Sequence, residues 1–129
     1  MEKSLNDLVD AALEVVSEIS SEEAAKILGK PDCDGWTFVD VREGDEYAAG
    51  RVPGARHVPR GFLEVRADRH HPKRDPWFED HNRKLILYCG GGNRSALAAQ
   101  TLGEMGFTQA VSLAGGWAAW SAGGFRVET

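Results

Sequence analysis

Cysteine is nearly absent from the chain, with only Cys33 and Cys89 among 129 residues. A disulfide framework is excluded at that density, and a reducing, cytoplasmic setting is the expectation. A surplus of positive charge is missing as well. The formal net charge is -5 and the isoelectric point about 5.3, which argues against general nucleic-acid binding. No apolar run approaches the roughly 20 residues that cross a bilayer, so no membrane partner is expected. The acidic start (Glu2, Asp7, Asp10) lacks the basic-then-apolar order of a secretion leader. Internal repeats, low-complexity tracts and linkers are also lacking. The composition is 42% hydrophobic and 27% charged, and the length is enough for one core without disulfides or a metal.

Leu5, Leu8, Val9, Ala12, Leu13, Val16 and Ile19 recur at steps of three and four, predicting an amphipathic helix over about residues 4–17. Its acidic polar face excludes a membrane-surface role. Packing on its own domain and contact with a second chain are both open. Ser20 followed by Glu22 and Glu23, with Gly29 and Pro31 beyond, reads as a capped short helix. Trp36 to Val39 reads as a strand ending on Asp40, and Gly44 to Gly50 as a helical turn. Arg56-His57 lies on a short strand, and the irregular stretch from Gly61 to Asn82 is anchored by Trp77 and Phe78. Ala110 to Leu113 forms a strand leading to Gly115-Gly116, and Trp117 to Ala122 a final helix. Strands alternating with helices predict one α/β domain with a parallel sheet.

The most informative stretch is Leu85 to Leu97. An apolar run of strand length ends on Cys89, Gly90-Gly91-Gly92 follow, and a helical pattern then begins near Arg94. A free thiol titrates near about 8.5. A position ahead of a helix N-terminus favours the thiolate, because first-turn N–H groups are unpaired and the helix dipole is positive there. Arg94 adds a fixed cation, and the glycines allow backbone amides to form an anion-binding nest. Nucleophile and anion cradle together are what covalent catalysis needs. The opposing reading is a buried, inert cysteine. It leaves three consecutive glycines and the nearby arginine unexplained. Ligands of such sheets collect at the strand carboxyl ends, where Asp40, Cys89 and Gly115-Gly116 all fall.

Cys89-Gly90-Gly91-Gly92-Asn93-Arg94-Ser95 resembles the active-site loop of single-domain rhodaneses, a cysteine followed by four residues and an arginine. Four more stretches agree in order and spacing. They are Ile19 to Ala24; Asp40-Val41-Arg42-Glu43 with Glu46 and Gly50; Gly50 to Ala55, with Arg51 where the family has histidine; and Leu113 to Trp117 with Trp120 and Gly123. The resemblance covers about residues 18–126. It implies a rhodanese-like fold, a parallel central sheet flanked by helices, over residues 18–129, with residues 1–17 as an N-terminal helical extension. It also implies sulfurtransferase activity through a Cys89 persulfide. Gly90, Gly91, Gly92, Asn93, Arg94 and Ser95 would bind substrate, and Asp40 with Arg42 would support the loop or form an internal ion pair. The implied partners are a small anionic sulfur donor, such as thiosulfate, and cyanide or a thiol as acceptor, a protein thiol included. No metal or organic cofactor is called for.

Two alternatives stand beside this expectation. A cysteine-dependent phosphatase uses the same residue types but holds five residues between cysteine and arginine, where this chain has four. A rhodanese-like binding module without turnover is the other, and retention of Cys89 and Arg94 speaks against it. His57, His70 and His71 lack ligand spacing for a metal. The carboxylates beside Cys33 disfavour its thiolate, which leaves it an incidental loop cysteine in preference to a resolving thiol. Between Arg51 and Arg74 seven basic residues stand against Glu64 and Asp68. Such a segment either steers anions toward Cys89 or is a solvated excursion.

Overall fold

Five short strands form one parallel sheet in the order β1-β5-β4-β2-β3 in this computed structural model, which describes residues 2–129. They are β1 (Glu18–Ile19), β2 (Trp36–Asp40), β3 (Arg56–His57), β4 (Lys84–Tyr88) and β5 (Gln109–Leu113). Six α-helices accompany them: α1 (Leu5–Leu13), α2 (Ser21–Leu28), α3 (Gly44–Ala49), α4 (Leu63–Ala67), α5 (Asn93–Glu104) and α6 (Gly116–Ala122). β4 lies between β2 and β5, so both of its edges are paired, and helices cover both of its faces, as its unbroken apolar run requires. Leu85, Leu87 and Cys89 join one core with Ala98, Ala99 and Leu102 of α5. Ile86 and Tyr88 join the opposite core with Trp120 of α6 and Ala24 of α2. This alternation places the Cys89 side chain on the α5 side.

Ser20 caps α2 through its hydroxyl, which accepts the Glu23 N–H at 3.1 Å, the device expected from the sequence. The first helix is shorter than the 4–17 its periodicity predicts. It stops at Leu13 because Val16 must enter the sheet core and the Ser17 carbonyl must accept the Ser112 N–H at the sheet edge. Val9 and Ala12 cluster with Ala96 of α5, small residues that let the two helices approach closely. α1 therefore packs on its own domain, with Leu5, Leu8 and Val15 left exposed.

The excursion after β3 is tied down by buried Leu63 and Phe78. Trp77 lies between two guanidinium groups, Arg56 at 4.2 Å and Arg83 at 4.1 Å from its ring centre. Much of the excess charge of this segment is matched locally: Arg56 by Asp75 at 2.9 Å, Arg60 by Glu64 at 2.8 Å and Arg74 by Glu79 at 3.2 Å. Among the described residues no helix is long and apolar enough to cross a membrane.

Leu87 is fully buried in the central strand and Val15 is 74% exposed. Leu87→Ala is expected to cost about 2–5 kcal/mol in urea unfolding, against less than about 0.5 kcal/mol for Val15→Ala.

Candidate active site

In a parallel sheet all carboxyl ends share one edge. Asp40 is in register with Tyr88 and Leu87 with Ser112, so the chain leaves β2, β4 and β5 side by side. Cys89 is the first residue beyond β4. It is 1% exposed, at the floor of the turn into α5.

The sulfur does what a helix cap does. The N-cap residue of α5 is Gly92, which has no side chain to offer and adopts φ 105°, a conformation that favours glycine. In place of a cap oxygen, Cys89 Sγ accepts the N–H of Ser95 at 3.4 Å and that of Gly92 at 3.1 Å. The Ser95 hydroxyl lies 3.5 Å from the sulfur and is held in place by Ser112 Oγ at 2.8 Å and the Gly92 carbonyl at 3.2 Å. The amides of Gly91, Asn93 and Arg94 have no acceptor among the described residues. Two amides and one hydroxyl therefore meet the sulfur, and three further loop amides stay unpaired.

α6 secures the other side of the loop. Trp117 N–H donates to the Cys89 carbonyl at 2.7 Å and Ala118 N–H to the Gly90 carbonyl at 2.9 Å. That contact needs Gly116, since its φ is 55° and a Cβ there would lie 2.5 Å from the Cys89 carbonyl oxygen.

Asp40 and Arg42 form a buried ion pair, 0% and 3% exposed. Arg42 Nη2 donates to Asp40 Oδ2 at 2.7 Å and Nε to Oδ1 at 3.0 Å, with a further donation from Nη2 to the Gly50 carbonyl at 2.7 Å. Burial disfavours the Arg42 charge, but the hydrogen bond and charge of Asp40 outweigh it and raise its affinity for the proton. The guanidinium also stacks 4.6 Å from the Trp117 ring. The pair braces Trp117, whose backbone N–H holds the loop. Beneath it, burial and the Asp40 charge push the Tyr88 hydroxyl well above its ordinary value, so it stays protonated while accepting the Val52 N–H at 3.1 Å. His57 Nε2 lies 2.8 Å from the Arg42 carbonyl, with its ring stacked 4.4 Å from Tyr47.

Arg94 bridges the loop and the start of α3. Its Nη1 is 3.4 Å from Glu46 Oε1, an oxygen that also accepts the Glu43 N–H at 3.1 Å. Its Nη2 lies over Gly90, where a Cβ would come within 3.1 Å. Burial pushes the Glu46 carboxyl up, but the Glu43 N–H and the Arg94 guanidinium outweigh it and hold the group below the usual carboxylate range.

A family model for the rhodanese-like domain matches residues 20–123. The chain belongs to the rhodanese-like family. This rhodanese-like chain is 30% identical over 113 residues to a sulfurtransferase of Allochromatium vinosum, across 88% of the chain and 95% of the relative. A Bacillus subtilis relative 31% identical is longer, and the chain spans 40% of its length. A solved structure from Rhodopseudomonas palustris, of a protein of unknown function described as a possible tyrosine phosphatase, is 31% identical with a TM-score of 0.92. That likeness covers 99% of this chain and 96% of the other.

The rhodanese-like architecture brings Cys89, Gly92 and Ser95 into direct contact, with the Gly90 to Arg94 backbone around them. Asp40 and Arg42 stand one layer away. Cys33 precedes β2 and so lies at the opposite end of the sheet from Cys89, in a left-handed turn with φ 51°. Within one chain Cys33 is therefore remote from Cys89. His71 Nδ1 accepts the Lys73 N–H at 2.9 Å, in the excursion. Two participants were not assigned roles from sequence: Ser112, a polar residue within a strand, and Glu46, which carried only a motif position.

Gly116→Ala is expected to lower stability by more than about 1 kcal/mol through left-handed strain and the clash with the Cys89 carbonyl. Thermal melting measures the loss, and the rate of Cys89 alkylation reports the displaced loop.

Proposed function

We propose that the chain is a sulfurtransferase that carries sulfane sulfur from a small anionic donor, such as thiosulfate, to cyanide or a thiol through a persulfide on Cys89. The observation that supports this most is the amide cradle around a single sulfur atom. In the first step the Cys89 thiolate attacks the outer sulfur of thiosulfate. The donor's S–S bond breaks, its electron pair leaves on sulfite, and a new S–S bond joins the transferred sulfur to Cys89. That bond of about 2 Å carries the outer sulfur from the floor of the loop toward the amides of Gly91, Asn93 and Arg94. Charge on the persulfide is met there by fixed dipoles that need no reorganisation. In the second step the acceptor attacks the outer sulfur, and the pair of the breaking bond returns to Cys89 as thiolate. The cycle as written balances without metal or organic cofactor.

The phosphatase reading draws on the description of the Rhodopseudomonas palustris structure and on the shared use of cysteine, cradle and arginine. Two features favour sulfur. The loop has four residues between Cys89 and Arg94, a ring suited to one sulfur more than to a tetrahedral phosphate. Arg94 is also engaged by Glu46, so a phosphate dianion would share its cation with a carboxylate.

Mass spectrometry after thiosulfate treatment is expected to find one added sulfur on Cys89, and none in Cys89→Ser, which should also lose turnover. Absence of the adduct with turnover intact in Cys89→Ser would refute the mechanism. Cys89-dependent hydrolysis of p-nitrophenyl phosphate would reverse the choice between sulfur and phosphate.

A further inference from the structure

The cations nearest the catalytic loop are already matched by acids. Arg42 is paired with Asp40. Arg94, the basic residue of the loop itself, is 3.4 Å from Glu46, with both side chains partly exposed. Glu43 and Asp45, beside Glu46 at the start of α3, are exposed and make no ion pair among the described residues. Among the described residues the loop's own cation is thus paired, and acids flank its partner at the start of α3.

We infer that Glu46 is a specificity-determining residue: by neutralising Arg94 it turns the site away from doubly charged sulfur donors and toward neutral or singly charged persulfide donors. The inference rests on the sulfurtransferase reading and narrows its donor class. A dianion such as thiosulfate that turns to Arg94 meets a cation already shared with Glu46 and lies beside that carboxylate. A persulfide R–S–SH faces no such competition. The Cys89 thiolate attacks its outer sulfur, the S–S bond breaks, the electron pair leaves on RS⁻, and the hydrogen stays on the transferred sulfur. The amide cradle alone suffices to hold a single sulfur.

Glu46 has a second duty, accepting the Glu43 N–H at the start of α3. Glutamine in its place keeps that acceptor oxygen and removes the charge, so Glu46→Gln separates the electrostatic role from helix capping. The probes are thiosulfate and a small alkyl persulfide with no other charged group, with kcat and KM measured for each at low salt and at about 0.5 M salt. Partly exposed pairs of this kind set the scale of the effect. The thiosulfate KM is expected to fall about two- to five-fold in Glu46→Gln, with kcat and the persulfide parameters held and the shift fading at high salt. In an Arg94→Gln background the same substitution should lose this gain, since the cation it would free is gone. An unchanged or higher thiosulfate KM, or equal shifts for both donors, overturns the inference. Failure of both donors to load Cys89 in the unaltered protein would instead overturn the sulfurtransferase reading beneath it.

Discussion

The contact on which the site depends is that between the Cys89 sulfur and the first turn of α5. A helix begins with amides that need acceptors, and the usual solution is an oxygen on the N-cap side chain. Here the N-cap is Gly92, and the acceptor comes from three residues earlier. The arrangement links two requirements. The Ser95 amide of the helix start finds its acceptor in the sulfur, and the sulfur is positioned because the helix starts there. The buried alternation of β4 determines where the sulfur enters, since Leu85 and Leu87 point to the same core as Cys89.

A loop with so little side-chain mass needs support from outside itself. α6 supplies it through two amide donations to the carbonyls of Cys89 and Gly90, permitted by the missing side chain at Gly116. The Asp40–Arg42 pair then fixes Trp117 from below. A buried ion pair adds little net stability, because desolvation consumes most of its attraction. What it contributes here is geometry. One guanidinium ties the end of β2 to the Gly50 carbonyl and to the face of Trp117. Both supports act through backbone and leave the amides of Gly91, Asn93 and Arg94 unpaired among the described residues.

Much of this was legible in the sequence because it is local. The run from Leu85 to Tyr88, the glycines and the helical pattern after them lie within a dozen positions, and the strand-loop-helix they predict is what forms. Capping of α2 by Ser20 was equally readable. The end of α1 was not, because periodicity continues to Val16 and Ile19 while the chain leaves the helix to reach the sheet edge. Contacts between distant positions were hidden as well. Ser95 and Ser112 meet across neighbouring elements, and Glu46 meets Arg94 across 48 positions, with no periodicity to betray either. The excursion from Arg51 to Arg74 shows the same limit. Its charge could be counted from sequence, but the pairing of Arg56 with Asp75 and of Arg74 with Glu79 exists only in the fold.

A crystal structure of the protein after brief thiosulfate treatment tests the central claim most directly. The account predicts a second sulfur bonded to Cys89 Sγ, its outer atom within about 3.5 Å of amide nitrogens from the Gly91 to Ser95 turn, with the α5 start unmoved. An unmodified Cys89, or an outer sulfur turned away from those amides toward side chains alone, would contradict it.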